Sequence, residues 1–445
     1  MNHGRYAAGE DDHALLAALV EAALEQTRFR LEEVAGPLEA VILGGSLARG
    51  EGTVWRGAHG PVALSDIDLA VVVRDEPARE RAAQVARALR AGVNRRLAER
   101  GLLGGFDLGL YTRAGLARQA PRPGTLEYRR SGRVLAGAAD ATAGFPALEE
   151  KDVPAEEALV LLENRGAELL LAWPGGAGPD DPGSALRAMY AGLKAQLDGA
   201  FAFVVAQGEC PASTQARQAA LERWTTVEGR SETLRAVLPD SSADAAFWGA
   251  MKLAPDPAAI ALRLQVPDAA DLSALGRRAW RDGARAWVGY YRAVAARVFG
   301  LAGAPSLEQA AAHAAHRARP RRRLRRWWET ARAVRALERE GRAAWALRSG
   351  PARLRLALGG TPEHELASVV AVLLGGWALA GTPGAADWRP AMEQRFPGEC
   401  PDHLDWDRCR QAAVRLWDTL ESGGARTAWE ISDPLPGARA HVEEA

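Results

Sequence analysis

The stretch that most constrains this chain is Val41-Ile-Leu-Gly-Gly-Ser-Leu-Ala-Arg-Gly-Glu-Gly52, an apolar run that breaks into two glycines and a serine. That is the pattern of a buried strand turning sharply into a helix whose first N–H groups point at an anion. After an excursion comes Ser65-Asp-Ile-Asp-Leu-Ala-Val-Val-Val73, with Asp66 and Asp68 at the start of a β-branched run. Side chains alternate across a strand, so both carboxylates share one face while Ile67 and Leu69 face the core. Two carboxylates beside a backbone able to hold a triphosphate are what a pair of Mg²⁺ ions needs as ligands. Metal-dependent nucleotidyl transfer is the chemistry this pattern points to. A turn with solvated carboxylates is the bland reading, and the upstream Gly-Gly-Ser weighs against it.

A third acid is available in Gly105-Phe-Asp-Leu-Gly-Leu-Tyr-Thr112, where Phe106, Leu108 and Leu110 fall on one face and Asp107, Gly109 and Tyr111 on the other. Together Gly44-Gly45-Ser46 and Asp66-Ile67-Asp68 resemble the signature of the polymerase-β-like nucleotidyltransferase superfamily, in its small-molecule or minimal branch. The resemblance covers about the first third of the chain. It implies an α+β fold, with a small mixed-sheet nucleotidyltransferase palm domain followed by an all-α C-terminal region. It also implies catalytic, metal-binding roles for Asp66, Asp68 and Asp107, with two Mg²⁺ ions, or Mn²⁺ in their place. Gly44, Gly45 and Ser46 would hold the nucleotide phosphates, with Arg49 available to neutralise charge. Relatives often carry a lysine near the triphosphate on a helix after the palm, a place Lys194 fills; its bland reading is a solvated surface lysine. One departure is the nineteen residues between Ser46 and Asp66, in which Thr53–Leu64 reads as a hairpin protruding beside the site.

Length sets the domain count, because 445 residues exceed one core. The expected units are 1–150, the palm-like domain; 151–300, helices closing the cleft; and 301–445, a C-terminal helical region. A formal net charge of +0 argues against a chain that is basic throughout for wrapping nucleic acid. Of 56 basic residues only Lys151, Lys194 and Lys252 are lysines, so a lone arginine carries little information and a lysine somewhat more. Three cysteines, Cys210, Cys400 and Cys409, make no disulfide framework, and the acidic N-terminal stretch is no secretory signal, so a cytoplasmic location is expected.

Helical spacing of Leu15, Leu16, Leu19, Val20 and Leu24 predicts a helix over 12–34 ahead of a strand at 38–43. A strand at 67–73, a helix from Pro77 to about Arg100, and strands at 103–112 and 133–136 follow, with Pro121-Arg-Pro-Gly124 breaking the interval between the last two. Helices alone are expected after Pro154, at 155–172 and 184–207, the latter placing Tyr190, Lys194 and Asp198 on one face. The run Arg317–Arg326 reads as solvated arginines rather than an RNA-docking patch. Leu366–Ala386 has an uncharged core shorter than the roughly 20 residues a bilayer needs and reads as a buried helix, so no membrane partner is expected. Cys400, His403 and Cys409 match no common zinc spacing.

The expected reaction moves an NMP, AMP for preference, from an NTP such as ATP to an acceptor hydroxyl, favouring a small molecule, with release of pyrophosphate. Two alternatives stand beside it. One is nucleotidylation of a protein or RNA acceptor; the other is a non-catalytic protein that binds nucleotide or a partner.

Overall fold

The computed structural model describes residues 4–57, 60–173, 181–226, 232–307, 309–311, 313 and 410. The expectations for Arg317–Arg326, Leu366–Ala386 and Cys400, His403 and Cys409 lie outside the described residues. The fold is α+β, with a small mixed sheet followed, after residue 150, by helices among the described residues.

Helix α1 (Glu10–Ala35) leads to strand β1 (Ala40–Leu43), the four-residue helix α2 (Gly45–Ala48), the hairpin strands β2 (Val54–Gly57) and β3 (Gly60–Ala63), and β4 (Ile67–Val73). Helix α3 (Glu76–Ala98) starts where the Asp75 carboxylate accepts the Ala78 N–H, a side-chain cap for the otherwise unpaired first-turn donors. It crosses over to β5 (Phe106–Thr112), which pairs in parallel with β4; a parallel partner requires such a crossover. Pro121–Gly124 leads into a helix instead of only breaking the chain. Short helices α4 (Arg113–Ala117) and α5 (Pro123–Ser131) fill the interval before β6 (Arg133–Gly137), because a proline is well placed in a helix's first turn. The sheet order is β5-β4-β1-β6, with β1 antiparallel to both neighbours.

Strand β4 is covered on both faces, which is why its sequence is a nearly unbroken apolar run. Ile67, Leu69, Val71 and Val73 pack with apolar residues of α1 and α3. On the other face Ala70 and Val72 meet Ile42, Leu116 and Phe145. Asp68 shares that second face, at its open end.

Helices α6 (Glu157–Leu171), α7 (Pro182–Ala206) and α12 (Leu272–Phe299) build the helical core, with α8 (Thr214–Thr226), α9 (Glu232–Val237), α10 (Ser241–Leu253) and α11 (Pro257–Leu264) around them. The indole N–H of Trp280 donates to the Leu169 carbonyl and that of Trp287 to the Leu162 carbonyl, each at 2.6 Å, so α12 and α6 run antiparallel. Against α7 the contacts are glycine-mediated: Gly276 on Ala185, Gly283 on Gly192, and Tyr290 on Gly199. The pairs advance by one heptad on both helices in the same direction, so α7 and α12 are parallel.

The Thr53–Leu64 insert forms the expected hairpin, but it does not protrude. Trp55, Val62 and Leu64 are buried with Leu186 and Leu193 of α7, Trp248 of α10 and Leu264 of α11. Its apolar side chains gain more from the helices than from water, and the hairpin becomes the joint between sheet and helices. Among the described residues no helix is long and apolar enough to cross a membrane.

The α7–α12 seam generates a pair of opposite outcomes. A Cβ on Gly192 would lie 2.1 Å from the Ala279 carbonyl oxygen, whereas one on Gly92 of α3 meets nothing within 4 Å. Gly192→Ala is expected to destabilise by about 1–3 kcal/mol and Gly92→Ala to stabilise by about 0.5–1 kcal/mol. Denaturant titrations of the two variants check both signs.

Candidate functional site

Strand β1 ends against the corner where β4 begins. The Gly44 N–H donates to the Asp68 carbonyl at 2.8 Å, tying the turn to the acid-bearing strand. Gly45 has φ +65, and a Cβ there would lie 2.3 Å from Asp68 Oδ2; a Cβ on Gly44 would lie 2.4 Å from the Tyr128 ring. Both glycines are therefore demanded by close approach, and Gly45 by its backbone as well. The Ser46 hydroxyl lies 3.3 Å from the Ser65 hydroxyl, which also accepts the Thr53 N–H.

In the parallel register Asp68 stands opposite Asp107, while their neighbours Ile67 and Phe106, Leu69 and Leu108, pair towards the core. Asp66 lies just before the strand. Its Oδ1 accepts the Gly105 N–H at 2.9 Å and its Oδ2 accepts the Lys194 ammonium at 2.6 Å. Asp107 Oδ1 accepts Arg90 of α3 at 3.2 Å and the Leu108 N–H at 2.9 Å. Thus the structure brings Gly44, Gly45, Ser46, Asp66, Asp68, Asp107 and Lys194 to one corner. Among the described residues no three acidic, histidine or cysteine side chains form a ready metal-binding group; Asp66 is turned to Lys194 and Asp107 to Arg90. The donor set is nonetheless of the right chemistry for Mg²⁺, being carboxylate oxygens alone, and Gly45 leaves beside Asp68 Oδ2 a space that any side chain would fill.

Arg49 is placed differently from the expectation of a phosphate-facing cation. It is buried between Glu51, at 2.9 Å, and Glu127 of α5.

Sequence reasoning missed the charged network behind the corner. Arg165 of α6 reaches both Glu168 and Asp198, and Glu168 stands 4.0 Å from the Lys194 ammonium. Arg217 of α8 approaches Glu127 at 3.7 Å and covers the Phe201 ring. The Glu51 carboxylate caps α8 by accepting the Thr214 N–H and hydroxyl, while the Glu51 carbonyl accepts the Lys252 ammonium of α10 at 3.1 Å. The available signals were the i,i+3 pair Arg165/Glu168, the shared face of Lys194 and Asp198, and the rarity of lysine.

Burial alone raises the Asp66 carboxyl, but the Lys194 charge and the Gly105 N–H outweigh it and hold the group below its ordinary range. Burial lowers Lys194 and Arg165, yet the carboxylates around them leave both raised. Lys252 is the exception: burial outweighs the attraction of Glu51 and pulls it down to about 8.

The chain matches no protein-family model, no curated protein and no solved structure.

Lys252 makes stability depend on pH. The folded chain releases this proton near pH 8, and the unfolded chain keeps it to its ordinary value of 10.5. Between these values the unfolded state binds more protons, so stability rises with pH. Relative to Lys252→Met, the wild-type chain is expected to gain about 2 kcal/mol from pH 7.5 to 10. Thermal unfolding of both proteins across that range measures the difference; a flat difference sinks the expectation.

Proposed function

We propose that this chain is a nucleotidyltransferase that moves a nucleoside monophosphate, AMP for preference, from an NTP to an acceptor hydroxyl and releases pyrophosphate. The observation that carries the reading is the corner itself: a Gly-Gly-Ser turn bonded to the strand of Asp68, with Asp107 in register beside it. Gly44 lets the turn pack against the Tyr128 ring and Gly45 keeps a side chain off Asp68 Oδ2, so phosphate oxygens would meet the N–H groups at the start of α2 and the Ser46 hydroxyl. Asp66, Asp68 and Asp107 are the groups that would hold Mg²⁺. Bound there, Mg²⁺ would neutralise phosphate charge and acidify the acceptor hydroxyl. Asp107, partly exposed, would accept the hydroxyl proton. Lys194 is positioned to answer phosphate charge from the helical side, while Arg49 keeps the corner's shape through Glu51 and Glu127. A small-molecule acceptor is favoured, with a protein or RNA as the alternative acceptor.

A second reading is a protein that binds nucleotide without transferring it. It is favoured by the pairing of Asp66 with Lys194 and of Asp107 with Arg90.

Incubation with Mg²⁺ and each α-³²P-labelled NTP, with cell extract as acceptor source, separates the two. Wild-type protein is expected to transfer label, and Asp66→Ala/Asp68→Ala to lose at least about 100-fold. Gly45→Ala, which pushes on Asp68 Oδ2, is expected to lose about as much, since a displacement near 1 Å is that costly. NTP binding by calorimetry without any transfer would select the second reading. The label's partition among small-molecule, protein and RNA fractions identifies the acceptor class.

A further inference from the structure

Lys194 has three carboxylates within reach of its helix position, yet it sits on one. Asp66 Oδ2 is 2.6 Å from the ammonium, and Glu168 is 4.0 Å away. Asp198 lies one turn further along the same face of α7. What distinguishes the three is Arg165, whose guanidinium engages both Glu168 and Asp198. Its planar fork presents separate N–H groups to the two carboxylates at once. With those two acids both engaged by Arg165, Asp66 is the carboxylate that holds Lys194 at hydrogen-bond distance. Its other oxygen accepts the Gly105 N–H. The carboxylate is thereby satisfied wholly by protein groups.

We propose that Lys194 is a resident counter-ion of Asp66 which a divalent cation must displace, and that Arg165 is the positioning residue that keeps Lys194 there. The inference rests on the reading of Asp66 as a metal-facing carboxylate. Its consequence is ordered binding. A divalent cation alone competes with a charge already in place and binds weakly. A cation arriving with a nucleotide brings phosphates that accept the released ammonium, so the exchange conserves charge pairing on both sides. Lys194 thus couples the metal site to the phosphate site, and neither fills well without the other.

The test is titration of Mn²⁺ into the full-length, nucleotide-free protein, followed by calorimetry and by the loss of the free Mn²⁺ paramagnetic resonance signal. Lys194→Met leaves Asp66 without its counter-ion and is expected to bind Mn²⁺ at least roughly ten-fold more tightly than wild type. The double variant Asp66→Asn/Lys194→Met is expected to lose that gain. Arg165→Gln frees Glu168 and Asp198 to draw Lys194 away, so it too is expected to tighten Mn²⁺ binding, with Arg165→Lys in between. Equal or weaker Mn²⁺ binding by Lys194→Met overturns the displacement, and an unchanged affinity in Arg165→Gln overturns the positioning role. Circular dichroism monitors folding, and Lys194→Gln replaces the methionine variant if that one unfolds. No nucleotide or acceptor enters the titration. Tightened Mn²⁺ binding without label transfer leaves the counter-ion role standing while removing the transferase reading; transfer with unchanged Mn²⁺ binding does the reverse.

Discussion

The half-buried ion pair between Asp66 and Lys194 ties the sheet to the helices among the described residues. Its partners are 128 residues apart, one at the start of β4 and one in the middle of α7. Removing two charges from water costs several kcal/mol per ion, and the cost is offset only where further hydrogen bonds and charges complete both groups. Gly105 does this for Asp66, and the Arg165 system does it around Lys194. Helices docked one turn out of place would strand at least one charge in the interior. The network therefore acts less as a source of stability than as a selector of one docking geometry, and Glu51, bonded to α8 and α10, applies the same selection at the other end of the contact.

Periodicity made the sheet legible. Ile67–Val73 reads as a strand buried on both faces, and the alternation in Phe106–Thr112 put Asp107 on the face of Asp68, where the register places it. The Gly-Gly turn was readable because only glycine tolerates that backbone and that proximity. The insert was readable as a hairpin but not as a joint, since what covers Trp55 comes from helices more than a hundred residues later. The ion network was opaque for the same reason: Arg165 and Asp198 are 33 residues apart, Glu51 and Thr214 are 163. In a chain so rich in arginine, neither Arg165 nor Arg217 stands out. Lysine does, and two of the chain's three lysines, Lys194 and Lys252, lie in this contact. Arg49 misled because its neighbour Glu51 gives no hint that Glu127 closes on it from the other side.

The hairpin also changes what the glycine turn has to withstand. Thr53 and Ser65 bracket it, and the Ser65 hydroxyl holds the Thr53 N–H while meeting Ser46. The base of the hairpin and the turn beside Asp68 are thus joined by short hydrogen bonds, through the Ser65 hydroxyl and through the Glu51 N–H to the Ser46 carbonyl.

Gly192 and Gly199 bracket Lys194 on α7, and both lie in the seam with α12. At Gly192, Gly276 and Gly283 backbone lies against backbone, and at Gly199 the helix lies against the Tyr290 ring. Helices α7 and α12 therefore behave as one rod, and the ammonium's height above the sheet is set by main-chain contact. The distance between the ammonium and Asp66 is thus set by how the helical core as a whole docks on the sheet, not by the lysine side chain alone.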